Sequence, residues 1–525
     1  MPNVLYHLLP TLQYLRLLNL SQYYVKELPS SIGNLKHLRH LDLSYSSIER
    51  LPDTLCTLYN MQTLLFGNCR ALVQLPTKLG RLIKLRHLDI GNRWGSTSIK
   101  NMPQNIGKWK DLQLLSNFVV AKDTGHSIVE LRKLEHLHQT LCISGLDHIF
   151  SEGDALEANL RGKKYLIGLV LKWGGDTESS EKDRKVLETL QPHTNLRELK
   201  IEFYGGTRFP NWVGDHSFSN LASITIRNCK FCLFLPPLGQ LPSLAKLDIE
   251  GLNEVVSIGI EFYGSSTCGI KPFRSLKYLR FKDMLEWQEW CCVGGNQEEG
   301  GILPNLCRLH LRNCPKLTKI FPLDKLPELE EVSLLGLISF GGSFSQELQC
   351  PKLLSLKGMH TLLPSLEYLH IDSCPELESF PEGGLPPALK SLDFGCNKKL
   401  YASSKQWGLE RLNSLVALSI IFEECEDLVD SFPEEGLLPT TLTQLHLSNH
   451  LNLTMLDGKE LLHLKSLKRL IISNCPKLKC FPEGLPTALS WLEIAKCPLL
   501  EQRCEREKGE DWPKISHIPS IYICD

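Results

Sequence analysis

Apolar residues recur along this chain in one short unit, L-x-x-L-x-L. It stands clearly at Leu38…Leu41…Leu43 and again at Leu85…Leu88…Ile90, Leu196…Leu199…Ile201 and Leu221…Ile224…Ile226. It returns at Leu276…Leu279…Phe281, Leu306…Leu309…Leu311, Leu366…Leu369…Ile371, Leu467…Leu470…Ile472 and Leu489…Leu492…Ile494. About 19 copies occur, degenerate ones included, at a commonest interval of roughly 23 residues. The x-L-x-L-x core alternates, so each unit predicts a short strand with one buried face. Copies stacked on one another align these strands as a parallel sheet. Each unit then packs only on its neighbours. That frees a chain of 525 residues from the limit of roughly 250–300 residues at which a single core stops growing.

After each strand the chain turns away and returns. Cys or Asn stands three residues beyond the last strand apolar at Cys69, Cys229, Cys314, Cys374, Asn397, Cys475 and Cys497. A small, weakly polar side chain there can turn inward and satisfy loop backbone groups. The return limb carries Leu28-Pro29, Leu51-Pro52, Leu75-Pro76 and Leu235-Pro236, with Phe-Pro at 380–381, 432–433 and 481–482. Proline fixes φ and blocks further strand, so these limbs are extended or one-turn helical. The period is that of leucine-rich repeats. The expected fold is an α/β solenoid, a leucine-rich-repeat horseshoe with a parallel sheet on the concave face and irregular or short helical convex limbs.

Several segments break the period. Helices are expected over 127–134 and 154–160, and a charged loop followed by a helix over 176–191. Residues 282–304 hold Trp287 and Trp290 and a Gly/Glu-rich tip at 294–301, and 336–363 is weakly patterned. The tail 501–525 leaves the repeat and reads as a polar cap. The divisions expected are N-terminal repeats over 1–135, middle repeats with helical insertions over 136–275, C-terminal repeats over 276–500 and the cap over 501–525.

Charge refines the picture. The whole chain has a formal net charge of −1, so nothing global points to nucleic acid or membrane. Residues 1–130 hold 15 Lys+Arg and 8 Asp+Glu, leaving 43 and 51 for the remainder: a basic beginning and an acidic remainder. No apolar run approaches the roughly 20 residues that span a bilayer, and Met1-Pro2-Asn3 lacks the positive start of a signal peptide. A cytoplasmic protein is expected. Nineteen cysteines, an odd number placed on the ladder, are expected reduced and buried.

Catalytic motifs are absent. G-x-x-x-x-G-K-[ST], H-E-x-x-H and G-x-S-x-G do not occur. Cys229-Lys230-Phe231-Cys232 is a C-x-x-C without a second pair at finger-like spacing, and Cys229 is already explained by the ladder. No catalytic, metal or cofactor residue is assigned, no cofactor is expected, and the chain reads as a binding module. Candidate partner-binding positions are the strand residues flanking the inward leucines. On two neighbouring repeats these are Tyr278, Arg280 and Lys282, then Arg308, His310 and Arg312. A basic cluster in a concavity favours acidic partners, while Glu331 on the next strand offers internal neutralisation.

Asn34-Leu35-Lys36-His37-Leu38-Arg39-His40-Leu41-Asp42-Leu43-Ser44, Ile48-Glu49-Arg50-Leu51-Pro52 and Leu64-Leu65-Phe66-Gly67-Asn68-Cys69 resemble the repeat domain of plant nucleotide-binding leucine-rich-repeat disease-resistance proteins of the coiled-coil class. So do 115–120, 141–146, Phe209-Pro210-Asn211-Trp212, 235–244 and the tail 507–515. The resemblance covers essentially the whole chain. It implies an intracellular immune receptor module that binds pathogen effectors or guarded host proteins and restrains an ATP/ADP switch domain. The coiled-coil and nucleotide-binding domains are not in this sequence, so the expectation is a truncated receptor without its own switch. The alternative is an intracellular scaffold or ubiquitin-ligase-type adaptor unrelated to defence.

Overall fold

The computed structural model describes residues 6–92, 95–122, 128–175, 179–264, 271–291, 303–318, 326, 328–335, 363–372, 374, 377, 384–395, 407–421 and 431–524. The chain forms two compact units, Met1–Glu254 with Glu261–Phe273, and Val255–Ile260 with Arg274–Asp525. Each is a stack of leucine-rich repeats. In the first unit a five-stranded sheet runs from Leu17–Asn19 to Leu114–Leu115. Six further strands follow in chain order, from Asn117–Val119 to Lys246–Glu250. In the second unit ten described strands follow one another in chain order, from Tyr278–Lys282 to Ser520–Cys524. Neighbouring strands within each unit pair parallel and in register, as Leu41 with Leu64 or Leu309 with Val332.

The repeat explains this order. Leu41, Leu64, Leu88, Leu199, Ile201, Leu309, Leu369, Leu470 and Ile494 are at most 2% exposed. Burying each such side chain contributes roughly 1.5–3 kcal/mol. The alternate positions stay half-buried or exposed, giving the pattern of Tyr278–Lys282, Gln444–Ser448 and Trp491–Ala495.

The turn that closes each strand has its own rule. The residue two beyond the last inward apolar side chain sits in the left-handed region at Asn68, Asn228, Asn313, Asn449 and Asn474, and at Gly145 and Gly251. Asn and Gly tolerate that conformation best. Its N–H reaches the next repeat, Asn228 donating to the Glu250 carbonyl at 2.7 Å and Asn474 to that of Ala495 at 2.8 Å. The following cysteine turns inward. Cys69 donates to the Leu43 carbonyl at 3.0 Å, Cys374 to Asp372 at 3.5 Å, Cys475 to Ser473 at 3.4 Å and Cys497 to Ala495 at 3.3 Å. Cys229, Cys314, Cys374, Cys475 and Cys497 are 0% exposed, as the ladder reading requires, and Asn397 lies outside the described residues.

The proline limbs of the first repeats are single 3-10 turns, whereas Phe432 before Pro433 lies in a short strand paired with Met455–Leu456. Pro29, Pro52 and Pro76 directly precede Ser30–Asn34, Asp53–Thr57 and Thr77–Arg81. These turns stack so closely that a Cβ on Gly80 would lie 2.1 Å from the Gln104 carbonyl oxygen. Phe380-Pro381 lies outside the described residues.

The expected helices appear with altered bounds. Residues 128–133 form a 3-10 helix. Glu152–Glu157 is α-helical, capped by Ser151, and a 3-10 turn follows at Leu160–Gly162. Ser180–Thr189 is α-helical, capped by Ser179. The tip 294–301 lies outside the described residues, as does the weakly patterned stretch apart from Leu363. The tail is more regular than its charged sequence suggests. It carries helices Pro498–Arg503 and Trp512–Ile515 and then one more ladder strand, Ser520–Cys524, with Ile521 opposite Leu492 and Ile523 opposite Ile494. The alternating Ile521-Tyr522-Ile523 is a short strand pattern that the charged residues before it obscured. Asp511, fully buried, ties this tail down: it accepts the Phe481 N–H at 2.8 Å and pairs with Arg503 at 3.1 Å and Lys514 at 3.2 Å.

Candidate protein-binding face

Two strands of the second unit present the candidate residues. Tyr278 lies opposite Arg308, Arg280 opposite His310, and Lys282 opposite Arg312. The intervening Leu279, Phe281, Leu309 and Leu311 are at most 1% exposed, so alternation commits the six to the open face. All six are brought together on adjacent strands, about 4.8 Å apart. No acidic residue stands on the open face of these two strands.

Their contacts are uneven. Tyr278 and His310 pack ring against ring at 5.2 Å. Lys282 pairs with Asp283 at 3.2 Å. Glu331, on the next strand, lies 3.5 Å from Arg308 Nε and 3.0 Å from His310 Nε2. Burial pushes the His310 imidazole below its ordinary range; Glu331 opposes this, and Arg280 and Arg308 reinforce it. His310 is therefore neutral near pH 7, and its Nε2 is not aligned for a hydrogen bond despite the short distance. The charge of Glu331 is left for Arg308. Arg312 Nε is buried without a hydrogen-bond partner.

The open face of the first unit differs. Glu202 takes Lys172 at 3.5 Å and Lys200 at 2.7 Å, and Arg227 takes Asp248 at 2.9 Å and Glu250 at 3.4 Å. There, opposite charges alternate across strands and neutralise one another. Sequence reasoning passed over this network, although its signal is the charged flanks of Glu198–Glu202, Ser223–Arg227 and Lys246–Glu250. The basic first repeats form a second electropositive surface. Arg16, Arg39 and Arg86, all exposed, precede paired strands, and the ion pair there among the described residues is Lys26–Glu49 at 3.5 Å. No described helix is long and apolar enough to cross a membrane.

Comparison with known proteins gives the context. Residues 128–252 match the family of R13L1/DRL21 leucine-rich repeats. A putative disease resistance protein of Arabidopsis thaliana is 42% identical over 341 residues, 63% of this chain and 23% of that protein. The putative disease resistance RPP13-like protein 1 of the same plant is 35% identical over 71% of this chain and 37% of its own length. The putative disease resistance protein RGA4 of Solanum bulbocastanum is 35% identical over 97% of this chain and 46% of its own. The chain thus spans less than half the length of these relatives. Its repeats, ladder turns and insertions place it among the leucine-rich-repeat domains of plant nucleotide-binding leucine-rich-repeat disease-resistance proteins.

Proposed function

We propose that the chain is the protein-recognition module of a plant disease-resistance receptor, and that it binds a pathogen effector or a guarded host protein through the open face of its second unit. The observation that carries this reading is the basic cluster of Arg280, Lys282, Arg308 and Arg312. Packing requires only the leucines between them, and these four basic groups outnumber the carboxylates that face them, Asp283 and Glu331. Electropositive groups gathered on one face favour an acidic partner and speed its encounter. The role is recognition rather than catalysis, in cytoplasmic surroundings where the ladder thiols stay reduced. The electropositive first repeats would serve a nucleotide-binding switch domain.

The test is an interaction screen of the full chain against pathogen effectors, candidate host targets and ubiquitin-ligase subunits. An acidic effector or host target, lost on reversing Arg280 and Arg312, supports the reading. Selective capture of ligase subunits supports an adaptor instead. Transcript sequence upstream of the first repeat tells whether a switch domain shares the polypeptide.

A further inference from the structure

The turn rule has exceptions at Gln22, Tyr45, Phe203, Asp283 and Lys496, all in the left-handed region. At the position given to Asn68, Asn228, Asn313, Asn449 and Asn474, the strand Glu198–Glu202 is followed by Phe203, with φ of +58°. A bulky aromatic in the left-handed region is strained. Its ring is not compensated by full burial, since Phe203 is only half-buried. Exposed Tyr45 shares this conformation, so a use for Phe203 is argued from what surrounds it.

Its surroundings supply one. Phe203, Gly174, Gly175, Tyr204, Lys230 and Phe231 line a cleft of about 190 Å³. Beside it the chain exposes Phe231, Leu233 and Phe234 at 47%, 42% and 43%. These are held in place: Cys232 between them is 0% exposed and donates its thiol to the Gly206 carbonyl at 3.0 Å. The rim is basic. Lys172 Nζ stands 5.5 Å from the Phe203 ring centre, and the Arg208 guanidinium 5.0 Å from that of Phe234. Lys172 shares Glu202 with Lys200. Lys230 and Arg208 are exposed and form no ion pair among the described residues.

We propose that this notch, at the strand-end turns of the first unit, docks a protein segment that presents one aromatic or large aliphatic side chain flanked by carboxylates. Small-molecule sites usually offer about 300–1,000 Å³, so the cleft fits one side chain better than a metabolite. The exposed Phe231–Phe234 stretch covers the neighbouring apolar surface of the incoming segment. Lys230 and Arg208 select acidic flanks by charge complementarity. The notch uses none of the open-face residues of the second unit and stands or falls independently of them.

The test uses the full chain and a fluorescein-labelled peptide with a phenylalanine between two pairs of aspartates. Two control peptides replace the phenylalanine by alanine or the aspartates by lysines. Anisotropy titration should show the first peptide binding at least about tenfold more tightly than either control. Phe203→Asn and Lys230→Glu should each weaken it at least about fivefold. Phe203→Asn restores the residue the turn prefers, so its melting temperature should hold or rise, which separates lost docking from lost folding. Equal binding of the three peptides, undiminished binding by both variants, or no saturable binding up to about 1 mM peptide overturns the proposal.

Discussion

Glu331 faces both Arg308 and His310, 3.5 Å from the guanidinium Nε of one and 3.0 Å from the imidazole Nε2 of the other. It therefore tempers the basic face. Glu331→Gln keeps the shape and removes the charge. An acidic partner of that face should bind the variant about two- to tenfold more tightly, chiefly through a faster on-rate that salt suppresses. Arg308 is half-exposed, so the lost ion pair should change stability by under about 1 kcal/mol. Stopped-flow association at low and high salt checks both statements.

The strand register makes a sharper stability prediction. Leu309 is 0% exposed, and Leu309→Ala should cost about 2–5 kcal/mol. His310, next along, faces the open side against Tyr278 and Glu331. His310→Ala should cost under about 1 kcal/mol. Urea titrations of the two variants compare them directly; equal costs would invert the register.

Acid should weaken the second unit through His450. This imidazole is 8% exposed, packs near Phe432, and is held down to about 4 by burial. The unfolded chain takes up the proton near pH 6.5, before the folded chain does. The contribution of the neutral ring is thus fully present at pH 7 and lost as pH falls from about 6.5 towards 4. It is on the order of 2–3 kcal/mol. His450→Asn should flatten that part of the pH profile of the urea midpoint.

The thiols divide by position. Cys229, Cys314, Cys374 and Cys475 are buried and not disulfide-bonded, whereas Cys291 and Cys524 are exposed. Burial pushes the Cys229 thiol up to about 12, and a thiol kept protonated is a poor nucleophile. Iodoacetamide on the native chain should label Cys291 and Cys524 and spare those four until denaturant is added. Mass spectrometry of tryptic peptides reads the outcome, and native disulfides among the four would contradict it.

Much of this architecture was legible because one side chain in two or three must be apolar for a strand to pack. Leu309, Leu369 and Ile494 announce their own burial, and the open-face neighbours follow by elimination. The cysteine ladder was readable for the same reason: a small inward group must meet the strand-end carbonyl. The turn rule was not, because a left-handed backbone leaves only a preference for Asn and Gly. Residues that defy that preference, such as Tyr45 and Phe203, carried no signal at all. The last strand, Ser520–Cys524, was hidden because an alternation only five residues long, next to a charged stretch, is too short to stand out. The neutral state of His310 also lay beyond sequence, since it depends on how deeply Tyr278 and the flanking strands bury the ring.

The recognition role rests on the basic open face, and one measurement reaches it most directly. Split-luciferase binding of the screened acidic partner would be compared between the natural chain and an Arg280→Glu, Arg312→Glu double variant, with thermal melts of both. Binding should fall at least about a hundredfold, as expected for two reversed contacts, while the melting temperature stays within a few degrees. Binding that survives the double reversal at an unchanged melting temperature would place recognition elsewhere on the chain and contradict the assignment of this face.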